Sequence, residues 1–289
     1  MGKREESLEV ESGAPPAPGR SRLAYHAYPG TEGTAIFLHG VLASHRYFEG
    51  PLVGRLGGFR LVLPDLFGHG DSEKPPGAAY TLDEHCALLA DLVASEGRPA
   101  PLVLGAHSLG CLILTALAAR LPPGRISGLV FLNYPRFASP WQIHETLVAG
   151  SAEYRTAAAD LDPRRAVTDG DLVRSSGAMV RQFAAILPPS LQPEARRASP
   201  EALAGTVRHC LFGYQPDADL GRLAQIPQLH LHGGRDRVAP PAFIESRMPE
   251  FGLARWVLLA GAGHHLLQTH TDRAAAEILT FLRSVAGRG

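Results

Sequence analysis

Residues 102–114 read LVLGAHSLGCLIL, in which an apolar strand-like run is followed by one hydroxyl, at Ser108, and then by an apolar helix-like run. A hydroxyl that projects beyond the C-terminal edge of a sheet requires the chain to turn sharply from strand into helix. The residues two before and two after such a turn must be small, and they are Ala106 and Gly110. The stretch therefore predicts a nucleophile at a strand-to-helix turn, and the alternative is an ordinary serine in a plain turn.

Short apolar runs recur on both sides of this stretch. Most lack polar alternation, which is typical of strands covered on both faces in a parallel sheet. Helical patterns separate several of them, at residues 81–95, 109–121 and about 272–285, and the first of these opens with the capping-box sequence TLDE. The alternation predicts an α/β fold with a mostly parallel sheet. The apolar runs are residues 23–28, 34–40, 59–65, 101–107, 127–133, 227–233 and 255–261.

One long interval breaks this alternation. Between residues 134 and 225 no run predicts a strand, whereas helix signals begin at Ser139, Asp169 and Ser199. A structureless segment of that length is unusual in a compact domain, so the interval is predicted to be a helical cap, or lid. The predicted organisation is a mobile lead-in at residues 1–20, in which SLEV at 7–10 could form a short edge strand, a core of residues 21–133 and 226–289, and a cap of residues 134–225.

Four further segments follow predicted strands and carry glycine with polar residues. They are FLHG at residues 37–40, DLFGHGDS at 65–72, GGRDRVAP at 233–240 and GAGHH at 261–265. Together with GAHSLG they resemble the α/β-hydrolase fold superfamily, in its serine-nucleophile branch with a helical lid, over about residues 23–285. The resemblance implies a mostly parallel central sheet of about eight strands flanked by helices, with an inserted helical cap.

The same segments supply a candidate catalytic triad. A serine hydroxyl is a weak nucleophile near neutral pH and needs a base, which a carboxylate must orient. The superfamily's order along the chain is serine, acid, histidine, and the matching positions are Ser108, Asp236 and His264. The C-terminal ends of parallel strands share one edge of the sheet, so these three side chains are expected to meet there.

Two of these assignments have alternatives. His265 adjoins the candidate base, which is preferred because it directly follows a glycine, as in the superfamily's Gly-His pattern. Asp236 could instead be a loop residue paired with Arg235 or Arg237. Some relatives carry the acid at the end of the strand before the cap, but that end offers Asn133 and no carboxylate.

An acyl-transfer site also needs N–H donors for the negative charge of the tetrahedral intermediate. The resemblance implies the backbone N–H groups of Leu109, directly after the nucleophile, and of Val41, directly after the His-Gly pair. His39, His69 and His107 lie in the same motifs, and we expect structural roles for all three.

Composition excludes several other classes of protein. The 289 residues contain 28 basic and 28 acidic side chains, which argues against a nucleic-acid partner. His230 and His232 form an H-x-H pair, but two glycines follow where a metal motif would continue, so no metal site is expected. No G-x-G-x-x-G or Walker pattern occurs, so no cofactor is expected.

The sequence also suggests a compartment. The three cysteines Cys86, Cys111 and Cys210 are far apart and show no pairing pattern, which favours reduced thiols. The N-terminal residues lack the apolar region of a secretory signal, and no apolar run approaches the length of a membrane span. The expectation is a cytoplasmic protein that does not associate with membranes.

The identity of the residue at the turn limits the reactions that the site could catalyse. Haloalkane dehalogenases and epoxide hydrolases of this fold carry aspartate there, whereas this chain carries Ser108, which indicates an acyl-serine pathway. We therefore expect a serine hydrolase acting on a small-molecule acyl substrate, namely a small, mainly apolar ester, thioester or lactone. The alternatives are a C–C bond hydrolase, an acyltransferase or a lyase with the same triad, and a non-catalytic binding protein. The sequence leaves the oligomeric state open.

Overall fold

A computed structural model describes residues 21–96, 101–150 and 187–287, together with residues 180 and 184. Its described residues form one sheet of seven strands, and each of the seven predicted apolar runs overlaps one of them. The strands are β1 (Tyr25–Tyr28), β2 (Thr34–Leu38), β3 (Arg60–Pro64), β4 (Leu102–His107), β5 (Gly128–Leu132), β6 (Gln228–Gly233) and β7 (Ala254–Leu259).

The strands lie in the order β1-β3-β2-β4-β5-β6-β7. Only β1 is antiparallel to its neighbour, and the other five pairings are parallel, which confirms the predicted α/β fold with a mostly parallel sheet. The described part of the chain has seven strands where about eight were expected. The SLEV segment, which could have supplied a further edge strand, lies outside the described residues.

Helices cover both faces of this sheet. Residues of β2 alternate between the two faces: Ile36 and Leu38 pack in the cluster that contains the helices of residues 82–95 and 109–120, while Ala35 and Phe37 pack in the cluster that contains the helices of residues 46–52 and 271–286. The α-helices of the described residues are α1 (Arg46–Leu52), α2 (Leu82–Ser95), α3 (Leu109–Arg120), α4 (Pro140–Gly150), α5 (Gln192–Ala195), α6 (Pro200–Thr206), α7 (Asp217–Arg222), α8 (Pro241–Glu245), α9 (Leu266–Thr269) and α10 (Thr271–Ala286).

The three helices predicted for the core are present as α2, α3 and α10. The start of α2 is fixed by the predicted capping box, because Thr81 Oγ1 accepts from the N–H of Glu84 (3.2 Å) and the Glu84 carboxylate accepts from the N–H of Thr81 (2.7 Å). Ten of the twelve residues of α3 are buried, as its uninterrupted apolar sequence indicates. No helix in the described part of the chain is long and apolar enough to cross a membrane.

The interval predicted as a cap contains α4 to α7 and, within its described residues, no strand. The helix signals at Ser139 and Ser199 correspond to α4 and α6, and Ser199 Oγ accepts from the N–H of Ala202 (3.0 Å) as an N-cap. A π-helical segment, Val207–Phe212, continues α6. The helix signal that begins at Asp169 lies almost wholly outside the described residues, and the division into core and cap stays a prediction.

A buried ion pair joins β3 to the end of α2. Arg60 donates from two nitrogens to the two oxygens of Glu96, at 2.8 and 3.1 Å, and both side chains are about 5% exposed. Breaking a buried pair leaves an uncompensated charge, so we expect Glu96→Gln to lower the free energy of unfolding by about 3–5 kcal/mol. Urea unfolding measures this loss. The exposed Arg247–Glu250 pair provides the control, because Glu250→Gln should cost less than about 1 kcal/mol, and equal losses would contradict the prediction.

Candidate active site

Ser108 lies at the turn where β4 ends and α3 begins. Its backbone has φ 51° and ψ −128°, a conformation that costs a non-glycine residue on the order of 1–3 kcal/mol. A Cβ on Gly110 would lie 2.4 Å from the carbonyl oxygen of His39, in the loop after β2, so this loop leaves no room for a side chain at position 110. The strained turn presents the Ser108 side chain at the C-terminal edge of the sheet.

The three candidate triad residues meet at this edge. His264, in the loop after β7, accepts at Nε2 from the Ser108 hydroxyl at 2.8 Å. Its other ring nitrogen, Nδ1, donates to Asp236 Oδ2, also at 2.8 Å. The neighbouring His265 lines the same cavity, but the hydrogen bonds to serine and aspartate are made by His264. This arrangement can deprotonate the hydroxyl and stabilise the resulting imidazolium.

Asp236 is held as a buried carboxylate. Its Oδ1 accepts from the backbone N–H groups of Val238 and Ala239, both at 2.9 Å. Burial opposes ionisation, but the neighbouring His264 and His232 and these hydrogen bonds outweigh it and hold the pKa of Asp236 well below its ordinary value. Within the described residues no ion pair joins Asp236 to either flanking arginine, and the carboxylate is directed at the imidazole.

Asn133, at the end of β5, is a site residue whose role the sequence did not reveal. Its Nδ2 donates to Asp236 Oδ2 at 2.7 Å and lies 3.3 Å from the carbonyl oxygen of Gly263. Its φ of 50° is rare for a side-chain-bearing residue, although asparagine adopts it more readily than most. The polar residue at that strand end was the available signal, but its partner lies in the loop after the neighbouring strand β6, more than a hundred residues away.

The two predicted oxyanion donors lie on either side of the nucleophile. Leu109 begins α3, so its backbone N–H is at the positive end of that helix. Val41 follows Gly40, and a Cβ on Gly40 would lie 3.0 Å from the Cβ of Ser108, so this loop packs directly against the turn. Val41 and Leu109 both line the cavity above Ser108.

Three histidines brace the loops around the site. His39 donates from Nδ1 to the next residue's carbonyl oxygen (2.8 Å) and accepts at Nε2 from the N–H of Leu66 (2.9 Å). His69 contacts a carbonyl oxygen two residues before it (3.1 Å), and His107 donates to the carbonyl oxygen of His264 (2.8 Å). Burial lowers the pKa of all three, which keeps them neutral hydrogen-bonding groups.

An apolar cavity opens above the Ser108 hydroxyl. The space between its walls is about 790 Å³ when the open solvent at its mouth is included. Its walls include Val41, Phe137, Ile143 and Leu187. Its lining among the described residues contains no Asp, Glu, Lys or Arg side chain, so the polar groups near the nucleophile are those of the histidines, a tyrosine and the backbone.

The H-x-H pair of β6 has protein partners. His230 Nε2 lies 2.9 Å from Gln228 Oε1, and His232 Nε2 donates to the carbonyl oxygen of Ala239 at 2.7 Å. Both rings are buried, so these bonds account for their presence in a central strand.

A second group of possible metal ligands, His26, His45 and Glu49, lies beside β1 and α1. The two imidazole rings are stacked, with centroids 3.8 Å apart and planes only 13° from parallel. A cation must lie close to the plane of each coordinating ring, and two parallel stacked rings cannot both satisfy that condition. As arranged, this group does not form a joint site.

Comparison with known proteins identifies the family. A family model described as alpha/beta hydrolase fold matches residues 35–271, and the chain therefore belongs to the alpha/beta hydrolase fold family. The chain is 34% identical to a probable lysophospholipase of Arabidopsis thaliana, BODYGUARD 1, over 116 residues, which are 38% of this chain and 24% of that protein. The match thus spans about a quarter of that relative's length.

Two other proteins match over nearly the whole chain. A haloalkane dehalogenase of Bradyrhizobium diazoefficiens is 26% identical over 307 residues of alignment, covering 97% of this chain and 94% of that protein. An esterase structure from Exiguobacterium antarcticum superposes with a TM-score of 0.72 at 16% identity, covering 92% of this chain and 99% of that one. At that identity the structural match bears on the fold alone.

Proposed function

We propose that the protein is a serine hydrolase that cleaves small, mainly apolar esters, with thioesters and lactones as related substrates, through an acyl-serine intermediate. The observation that carries the proposal is the continuous hydrogen-bond chain Ser108–His264–Asp236, with 2.8 Å at each step, at a strained strand-to-helix turn. A binding protein has no chemical need for such a chain. The names of the relatives, which include lysophospholipase, lipase and esterase, agree with hydrolysis of acyl compounds.

The reaction follows from the positions of these groups. Ser108 Oγ attacks the carbonyl carbon while His264 Nε2 takes the hydroxyl proton, and the backbone N–H groups of Leu109 and Val41 receive the negative charge on the carbonyl oxygen. The tetrahedral intermediate collapses when the leaving alcohol takes the proton from His264. Water, deprotonated by the same nitrogen, then attacks the acyl-serine, which releases the acid and restores the serine hydroxyl.

The serine nucleophile argues against dehalogenation, despite the resemblance to a haloalkane dehalogenase. Displacement of halide by Ser108 would leave an alkyl ether, which has no carbonyl for water to attack, so the enzyme would stop after one turnover. An acyl-serine has that carbonyl and is hydrolysed by the same machinery. Carbonyl substrates are therefore the class that this site can turn over repeatedly.

A pair of matched esters tests the proposal. We expect p-nitrophenyl acetate and butyrate to be hydrolysed, and a fluorophosphonate probe to label the protein at one residue. The p-nitrophenyl hemisuccinate should react at least about a hundredfold more slowly than the butyrate, because the described residues that line the cavity offer its carboxylate no cationic partner, at a cost of several kcal/mol. Labelling without turnover of any ester, thioester or lactone would instead favour a lyase or a binding protein.

A further inference from the structure

The loop that carries Val41 is under local strain. Leu42, the next residue, has φ 56°, a conformation that surrounding structure must enforce in a bulky aliphatic residue. The loop also lies against the nucleophile, through Gly40. A strained backbone segment that offers an N–H to a developing charge needs external supports, because a displacement on the order of 1 Å is enough to weaken catalysis.

The first support comes from the core. Asp65, directly after β3, accepts from the backbone N–H of His45 at 2.6 Å and from His45 Nδ1 at 3.0 Å. Its other oxygen accepts from the N–H of Asp71 at 2.7 Å. Asp65 and His45 are both buried. This support ties the far end of the loop to the central sheet.

The second support comes from α5, which lies in the interval predicted as a cap. Glu194 Oε2 accepts from the hydroxyl of Ser44 at 2.7 Å, and Ser44 is completely buried. The same oxygen accepts from Arg197 at 2.9 Å, and Arg46 Nε lies 3.6 Å from the other oxygen. The Glu194 side chain is 6% exposed, so its charge depends on these donors.

We propose that Glu194 is a positioning residue that, through Ser44, holds the loop of residues 39–45 in the geometry in which the Val41 N–H faces the oxyanion. Ser44 is three residues after Val41, and a hydrogen bond from the N–H of Ala43 to the carbonyl oxygen of Gly40 (3.3 Å) closes the turn between them. The position of α5 on the core therefore determines how well the Val41 N–H can donate a hydrogen bond to the oxyanion. This inference rests on the proposed function.

Two small substitutions each remove one partner of the Ser44–Glu194 hydrogen bond. Glu194→Gln and Ser44→Ala should each lower kcat for p-nitrophenyl butyrate about ten- to hundredfold, which is less than the loss caused by deleting an oxyanion donor outright. KM should stay within about twofold, because the ground-state ester makes little use of the oxyanion hole. Each variant should also weaken inhibition by an alkyl trifluoromethyl ketone, which binds as a tetrahedral oxyanion adduct, by the same factor as kcat.

The double variant and a matched control sharpen the test. Because both substitutions remove one interaction, the double variant should lose no more activity than the worse single variant. Glu201→Gln is the control, since Glu201 is an exposed residue on the adjacent α6, and it should keep wild-type kinetics. Circular dichroism and urea unfolding show whether each variant is folded under assay conditions.

Several outcomes overturn the inference. Folded variants that keep kcat within twofold of wild type would do so, as would a rise in KM with kcat unchanged. Loss of folded protein in both variants would show a purely structural contact and would equally overturn it. If the wild-type protein neither turns over esters nor reacts with the fluorophosphonate, the proposed function itself fails. If the wild type is active and both Glu194→Gln and Ser44→Ala keep its kcat, the positioning role is contradicted and the proposed function is not.

Discussion

Replacing Ser108 with alanine should lower kcat/KM for p-nitrophenyl butyrate by at least about a thousandfold. The substitution removes the atom that forms the acyl-enzyme in the proposed reaction, and in an enzyme with such a triad the loss of the nucleophile costs a factor on the order of 10⁶ in kcat. The residual rate should come from the oxyanion donors and from substrate binding. Stability should change little, because alanine at this position has the same backbone strain and leaves no buried polar group beyond His264 Nε2.

Ser127, which directly precedes β5 and contacts the start of β4, at the edge of the sheet opposite Ser108, provides the control. Ser127 Oγ accepts from the N–H of Leu102, at the start of β4, at 3.3 Å. Ser127→Ala should therefore retain wild-type turnover and fluorophosphonate labelling, while Ser108→Ala should lose both. Mass spectrometry of the labelled protein should place the adduct on the peptide that contains Ser108. Turnover within tenfold of wild type in Ser108→Ala, or labelling of that variant, would contradict the nucleophile assignment.

The order of local patterns along the chain was enough to predict the fold. Each strand is a short apolar run because it is covered on both faces, and each of the three core helices carries its own start signal or periodicity. The strand order is different, because it depends on which strands pair across the sheet. The antiparallel placement of β1 beside β3, where Tyr25 pairs with Pro64, has no local signal in either segment.

The candidate site likewise has residues that local sequence patterns predict and residues that they do not. Ser108, Asp236 and His264 could be found because each follows a strand at a recognisable motif, and the topology then brings strand ends together. The side chains that contact Asp236 and the loop of Val41 could not be identified from the sequence. Asn133 and Asp236 follow two neighbouring strands of the sheet, and Glu194 and Ser44 are 150 residues apart in the sequence. Neither contact therefore leaves a spacing pattern in the chain. Such contacts become visible only once the packing is known.

A steep loss of stability on acidification is the second large effect that the structure predicts. His69, His85 and His230 are almost completely buried, and burial lowers the pKa of each to about 3. Repulsion from a neighbouring imidazolium lowers each pKa further, from His39 at His69, from His69 at His85 and from His232 at His230. In the unfolded chain each of these imidazoles returns to a pKa of about 6.5.

The sign of the effect follows from proton linkage. Above pH 6.5 neither state binds protons at these three sites, and stability is at its full value. Between pH 6.5 and about 3 the unfolded chain binds protons that the folded protein excludes, so stability falls as the pH falls. Each site contributes about 1.4 kcal/mol per pH unit once its unfolded form is protonated, and the three together about 4 kcal/mol. The depressed carboxyl groups Asp65 and Asp236 add to this loss only below about pH 4.

Urea unfolding measured at half-unit steps from pH 7.5 to pH 5 tests this prediction. A domain of ordinary stability, about 5–15 kcal/mol, should then unfold without denaturant at a pH about one to four units below 6.5. His230→Phe should reduce the slope by about a third, because phenylalanine suits the aromatic surroundings of Phe131 and Phe251 and takes up no proton. His209→Gln, at a partly exposed side chain, is the matched control and should leave the slope as in wild type. A slope of less than one proton per molecule near pH 5.5 would mean that these buried rings are charged in the folded protein or that the chain opens around them.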